Sequence, residues 1–249
     1  MNNRSVPSIF SAKRRAARVS RAASFAARPD AARWLIEEME RDCIERIGFM
    51  RLQPKNALVV GPSPRELPAE LERLECETLS LPAHDEEQPW QSAALDLIVS
   101  LSRLDTVNDL PGALLHYRNA LSEGGIMIAQ MLGAGSLPVL RDILLNADHD
   151  RPAARIHPQI DNRAATGLLE RAGFKRQVVD GHTMRVSYTS FARLIADLRE
   201  QALNNVLADP PPPLTRTALA RAHQAFDAMK DEEGRVTETF ELLTLTGWR

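Results

Sequence analysis

Ala57-Leu58-Val59-Val60-Gly61-Pro62-Ser63-Pro64 is the stretch on which the reading of this chain turns. Ala57 to Val60 is a short apolar run closed by a glycine, the pattern of a buried strand in a parallel sheet. A strand of this kind that leads into a nucleotide cofactor is followed by a glycine-rich turn. Glycines there take positive φ, let the backbone approach the ligand and aim N–H groups at it. Here two prolines follow. Each fixes φ near about −65° and removes a backbone donor, so Pro62 and Pro64 delete two of the groups that would hold a ligand. A capping box formed by Ser63 and Glu66 would satisfy the donors of the following helix from within the chain.

Outward from this strand the chain alternates. Upstream, Leu35, Met39, Cys43 and Ile47 recur every fourth residue and predict a helix over Ala31 to Gly48, with Asp30 as its cap. Cys43 lies on that apolar stripe and reads as a core residue. Downstream, strands are expected at Cys76 to Leu81, Leu95 to Ser100 and Gly125 to Ala129. Asn108-Asp109 caps a helix with Pro111 in its first turn and Gly124 beyond its end. Asp161 caps another, from Asn162 to Ala172, which leads into strands at Phe174 to Val179 and Thr183 to Tyr188. The tail predicts a helix over Phe191 to Leu207, a break at Pro210 to Pro213, a helix over Thr215 to Met229 and a strand over Val236 to Thr246. Such alternation implies an α/β fold with a mostly parallel sheet and helices on both faces.

Composition sets the outer bounds. The 249 residues carry a net charge of −2, which gives no global case for nucleic acid as a partner. The two cysteines are too few for a disulfide framework or a cysteine zinc site and fit a reducing, cytoplasmic setting. The charge-free stretch Gly124 to Leu140 is too broken by glycine, proline and polar residues to span a membrane. Basic residues cluster in the first 29 positions, which hold seven of them and no acid. That composition resembles a transit peptide, and equally an arm for an anionic surface, but the spacing of its apolar residues is better read as a basic amphipathic helix lying on the domain. The histidines are scattered without metal-ligand spacing, so no metal site is expected. The run His84-Asp85-Glu86-Glu87 reads as a solvated loop.

Leu95-Asp96-Leu97-Ile98-Val99-Ser100, Val107 to Leu114, Ala120 to Gly125 and Thr239 to Trp248, taken in this order, resemble the class I S-adenosylmethionine-dependent methyltransferases. The narrower likeness is to the branch of the biotin-pathway malonyl carrier-protein methyltransferase and the complex I assembly methyltransferase-like proteins. Ile9-Phe10 with its arginine cluster and Leu168 to Phe174 match as well, so the likeness covers nearly the whole chain. The resemblance implies a seven-stranded Rossmann-like sheet, S-adenosylmethionine at the carboxyl ends of the first strands, and methyl transfer to a small acid or a carrier-bound acyl group. Arginine hydroxylation is associated with the complex I assembly relatives, so the fold does not fix the reaction.

Carried onto this sequence, the likeness places Gly61, Ser63, Ser80 and Asp96 beside the cofactor and offers Asp105 and Asn108 as candidates near the reacting groups. The chain departs from the pattern at three points. The glycine turn is changed, no acid ends the second strand, and the 44 residues from Ala57 to Ser100 are too few for two crossover units, which need roughly 60. The expected fold therefore lacks one edge βα unit. Residues 1–29 form a basic helix or arm, and 30–249 a methyltransferase-like domain with a helical insertion at about 190–230. Two functions stay open: a transferase acting on a small molecule, a carrier-bound acyl group or a protein, or an inactive member that binds a protein partner.

Overall fold

The computed structural model describes residues 8–62, 64–82, 84–90 and 94–249. Its centre is a six-stranded sheet of β1 (Asn56–Val60), β2 (Glu77–Leu81), β3 (Leu95–Leu101), β4 (Leu121–Leu132), β5 (Arg176–Tyr188) and β6 (Val236–Trp248), in the order β2-β1-β3-β4-β6-β5. The first four strands are parallel, and β6 alone runs the other way, between β4 and β5. β2 forms one edge. Among the described residues between β2 and β3 there is no helix or strand, so the crossover leads straight to the far side of β1.

Alternation along the strands sorts the core into two layers. Ala57 and Val59 of β1 face the larger one, with Leu97 and Val99 of β3. It is closed by α2 (Trp34–Phe49), α3 (Glu66–Arg73), α5 (Pro138–Ala147), α7 (Phe191–Glu200) and α8 (Arg216–Ala228). Leu58 and Val60 face the other way, onto α4 (Leu110–Ala120) and α6 (Asn162–Arg171). Cys43 is fully buried in the first layer, where burial pushes its thiol far above the ordinary range. No described helix is long and apolar enough to cross a membrane.

The remaining helix, α1 (Ala12–Ala26), starts at Ser11, whose hydroxyl accepts from the Arg14 amide at 3.3 Å. It packs along α7. The residues before it are tied down by backbone bonds: the Ser11 N–H donates to Val206 O at 2.9 Å and the Ala208 N–H to Ile9 O at 2.8 Å. Its inward face holds Arg15, Arg18 and Ala22, all buried. An amphipathic basic helix is expected to keep its arginines in water. This one buries two of them, because acids from two loops meet them there.

Candidate functional site

In a parallel sheet the crevice for a ligand lies beyond the carboxyl ends of the strands, where the chain reverses direction between neighbouring crossovers. Here that place lies above β1 and β3. Gly61 continues the ladder past β1, its N–H donating to Leu81 O at 3.0 Å. A Cβ at Gly61 would meet Leu101 Cβ at 2.8 Å and Leu101 O at 3.1 Å. The glycine is thus required by close packing against the end of β3. Gly61→Ala is expected to destabilise the chain by about 1–3 kcal/mol through overpacking, read as a lower urea midpoint with an unchanged slope.

Among the described residues, the next helix has no cap bond from its own side chains. Its cap position is Arg65, which makes no side-chain cap bond, and Glu66 is its first residue; the expected capping box rests on Ser63, which lies outside the described residues. The donors are met by Glu40, from α2. One oxygen of this fully buried carboxylate accepts from the Arg65 N–H at 2.7 Å and the Leu67 N–H at 2.9 Å. Burial pushes the Glu40 carboxyl up, against the pull of those backbone donors. The positive end of α3, where a ligand anion would sit, is occupied by the protein's own acid.

Across the crevice stands a cluster of charges sealed from water. Glu86 is fully buried. The Arg15 guanidinium donates to its Oε2 at 2.7 Å, and Arg103 Nε, just past β3, donates to its Oε1 at 2.8 Å. Arg103 also holds the loop by donating from Nη2 to His84 O at 3.1 Å. Arg18 donates to the Thr106 hydroxyl at 2.9 Å, with the Asp105 carboxylate at 4.0 Å. Glu87 accepts from the Asn108 N–H at 2.7 Å. The acidic run at 84–87 is therefore turned partly inward, which corrects the expectation of a solvated loop. It brings a counter-charge to arginines that α1 carries into the domain. His84 meets the ring of Trp90 edge-on at 4.7 Å.

What remains open beside Gly61 is small. The cavity lined by Ala22 and Ala26 of α1, Met39, Pro62 and Ser102 holds about 30 Å³, room for one water molecule. Clefts that hold ligands of drug size run to roughly 300–1,000 Å³. Among the described residues around this crevice, α1 forms the roof, Pro62 and Pro64 carry no backbone donor, and Glu40 takes the helix end.

The structure disperses the residues singled out in the sequence. Asp96 is the second residue of β3, at the end of that strand remote from the crevice. It accepts from the Lys55 and Asn56 N–H groups at 2.9 and 3.0 Å and from the Ser122 hydroxyl at 3.0 Å. Burial opposes these bonds, which nevertheless lower its pKa, and they fix the loop that leads into β1. Ser80 is exposed on the edge strand β2. Asn108 docks the chain start, its side chain accepting from the Phe10 N–H at 2.8 Å and donating to Phe10 O at 3.1 Å. Its neighbour Asp109 caps α4 through the Gly112 N–H at 2.9 Å. Asp105 alone lines a sizeable cavity.

Glu40, Glu86, Arg15, Arg18 and Arg103 build the site; the reading of the sequence placed Glu86 in a solvated run and Arg15 and Arg18 in a basic segment, and it assigned nothing to Glu40 or Arg103. Arg15 and Arg18 left the clearest signal, since with Ala22 they share one face of a helix.

Comparisons with known proteins agree with this architecture. No protein-family model matches the chain. The mitochondrial arginine-hydroxylase NDUFAF5 of Mus musculus is 32% identical over 177 residues, covering 69% of this chain and 51% of that protein. The malonyl-[acyl-carrier protein] O-methyltransferase of Laribacter hongkongensis is 28% identical over 188 residues, covering 74% of this chain and 62% of that protein. The chain thus spans about half the length of the NDUFAF5 relatives it matches. Among solved structures, the YcgJ protein of Bacillus subtilis superposes with a TM-score of 0.50 at 7% identity, covering 86% of this chain and 98% of that one. A proposed methyltransferase from Bacillus halodurans gives a TM-score of 0.50 at 9% identity, over 82% of this chain and 97% of that one.

Proposed function

The chain is a homologue of the NDUFAF5 arginine hydroxylases and the malonyl-[acyl-carrier protein] O-methyltransferases, and from that premise we propose that it keeps the methyltransferase fold without the methyltransferase chemistry, as an assembly or interaction factor with a protein partner. One observation carries this reading. The crevice where such a fold would seat S-adenosylmethionine is packed with the chain's own side chains and retains about 30 Å³. Three features close it: the prolines after β1, the Glu40 carboxylate at α3, and the Arg15–Glu86–Arg103 cluster under α1. Restoring any one of them leaves the other two. A cytoplasmic setting goes with this reading, since both cysteines are free and buried.

A working transferase, acting on a small acid, a carrier-bound acyl group or a protein, is the second reading. It is favoured by the names of the relatives and by a cavity of about 380 Å³ beyond β4. Calorimetric titration with S-adenosylmethionine and S-adenosylhomocysteine separates the two. The expected result is no heat of binding at millimolar ligand. A dissociation constant in the micromolar range, roughly −8 kcal/mol of binding free energy, would sink the inactive reading.

A further inference from the structure

A cavity of about 380 Å³, a size typical of small-molecule sites, lies beyond Leu132, the last residue of β4. Its body is hydrocarbon: α5 supplies Leu140 and Leu144, and α7 supplies Phe191, Ile195 and Leu198. Arg14, Arg199 and Leu219 are exposed members of the lining, so the cavity reaches solvent where they stand. Walls of this kind reward a ligand that brings an aliphatic chain out of water.

The charges around the cavity do not balance. Asp105 is the one acid among the described residues that line it. Its Oδ1 is sealed from solvent and stands 4.0 Å from Arg18 Nη2, so this charge is met inside the protein. Three guanidinium groups share the lining. Arg155 is held by two bonds to the Asp148 carboxylate. Arg14 donates to Asn205 O at 3.2 Å, and because Asn205 belongs to the same lining, that uncharged partner keeps the guanidinium at the cavity wall. Among the described residues neither Arg14 nor Arg199 has an acidic partner. His157 adds no charge, because burial holds its imidazole below the ordinary range. Two positive charges are therefore left over beside an apolar cavity.

We propose that this cavity binds a linear aliphatic carboxylate, with its chain against the side chains of α5 and α7 and its head at the mouth, beside Arg14 and Arg199. A guanidinium presents its N–H groups as a fork that matches the two oxygens of a carboxylate. An ammonium head would meet two cations instead, and a hydroxyl head would gain the burial of the chain without the pairing of charge. Binding of this kind needs no cofactor, so it stands or falls apart from the function proposed above.

The test is calorimetric titration of the full chain, without S-adenosylmethionine, with decanoate, 1-decanol and decylamine. Decanoate is expected to bind at one saturable site, about fivefold more tightly than the alcohol and about tenfold or more tightly than the amine, a margin set by two solvent-exposed ion pairs. Raising the salt to about 1 M should remove most of that margin. The double variant Arg14→Gln, Arg199→Gln changes two exposed side chains and is expected to bring decanoate and decanol to within about twofold of each other. Absence of saturable decanoate binding would overturn the proposal, as would a double variant that keeps the full preference for the anion. So would decanol or decylamine binding as tightly as decanoate, a comparison made on the native chain and therefore independent of how the variant folds.

Discussion

Glu86→Ala is expected to cost about 3–5 kcal/mol of folding stability, the range seen when one partner of a buried ion pair is removed. Glu86 is fully buried, and both its oxygens accept from guanidinium groups, Arg15 at 2.7 Å and Arg103 at 2.8 Å. Alanine leaves these two cations facing each other out of water, with Arg18 close enough to act on both; like charge from Arg15 and Arg103, after desolvation and the opposing pull of Asp105, already lowers the Arg18 pKa. At roughly 2–4 °C per kcal/mol for a chain of this size, the melting temperature should fall by about 6–20 °C. The triple replacement Arg15→Met, Glu86→Leu, Arg103→Met is expected to recover most of this loss, since an apolar set of similar volume carries no desolvation cost. Urea midpoints of the single and triple variants check both statements. A Glu86→Ala chain within about 1 kcal/mol of the native one would mean that water reaches the cluster and screens it.

The contrast between these buried charges and the strands beside them explains how far the sequence was legible. Local signals read well. Asp109 and Asp161 cap α4 and α6 as expected, accepting from the Gly112 and Ala164 amides, because a cap is made by residues three apart in the chain. The missing edge unit was legible as a length, 44 residues where two crossovers need roughly 60, and the sheet indeed has six strands with β2 at its edge.

Boundaries set by distant partners did not read. Two strands were expected, at Phe174 to Val179 and at Thr183 to Tyr188. The structure has one strand, because β6 pairs with it along its whole length, and a Cβ at Gly181 would meet Leu242 O at 2.5 Å. Glycine there marks close approach of the neighbouring backbone. The helix expected to reach Leu207 ends at Glu200. Ala202 takes a left-handed φ of 57°, and the Leu203 N–H returns to Leu198 O at 2.7 Å, a helix stop without the glycine that usually announces it. α5 carried no signal strong enough to be noticed. At the site the failure has the same cause. Glu40 caps a helix 25 positions away, and Glu86 finds Arg15 across 71 positions. Nothing in local spacing encodes such a meeting.

Deletion of residues 1–27 is the second large effect. It removes both buried arginines of α1, leaves Glu86 with one partner and takes Arg18 from Asp105, and uncovers the crevice that Ala22 and Ala26 roof. The expected loss exceeds that of Glu86→Ala, more than about 5 kcal/mol against a typical total of roughly 5–15 kcal/mol. The truncated chain should therefore melt without a sharp transition, or only a little above room temperature, when followed by circular dichroism. Where it remains folded it also distinguishes a lid from a fixed part. If α1 were a lid over an intact cofactor site, the truncated chain would bind S-adenosylhomocysteine, since a lid conceals donors without removing them. The donors are gone, however, at Pro62 and Pro64, and those of α3 remain engaged by Glu40. Calorimetry of the truncated chain at low temperature is thus expected to stay flat; micromolar binding would show that α1 covers a working site.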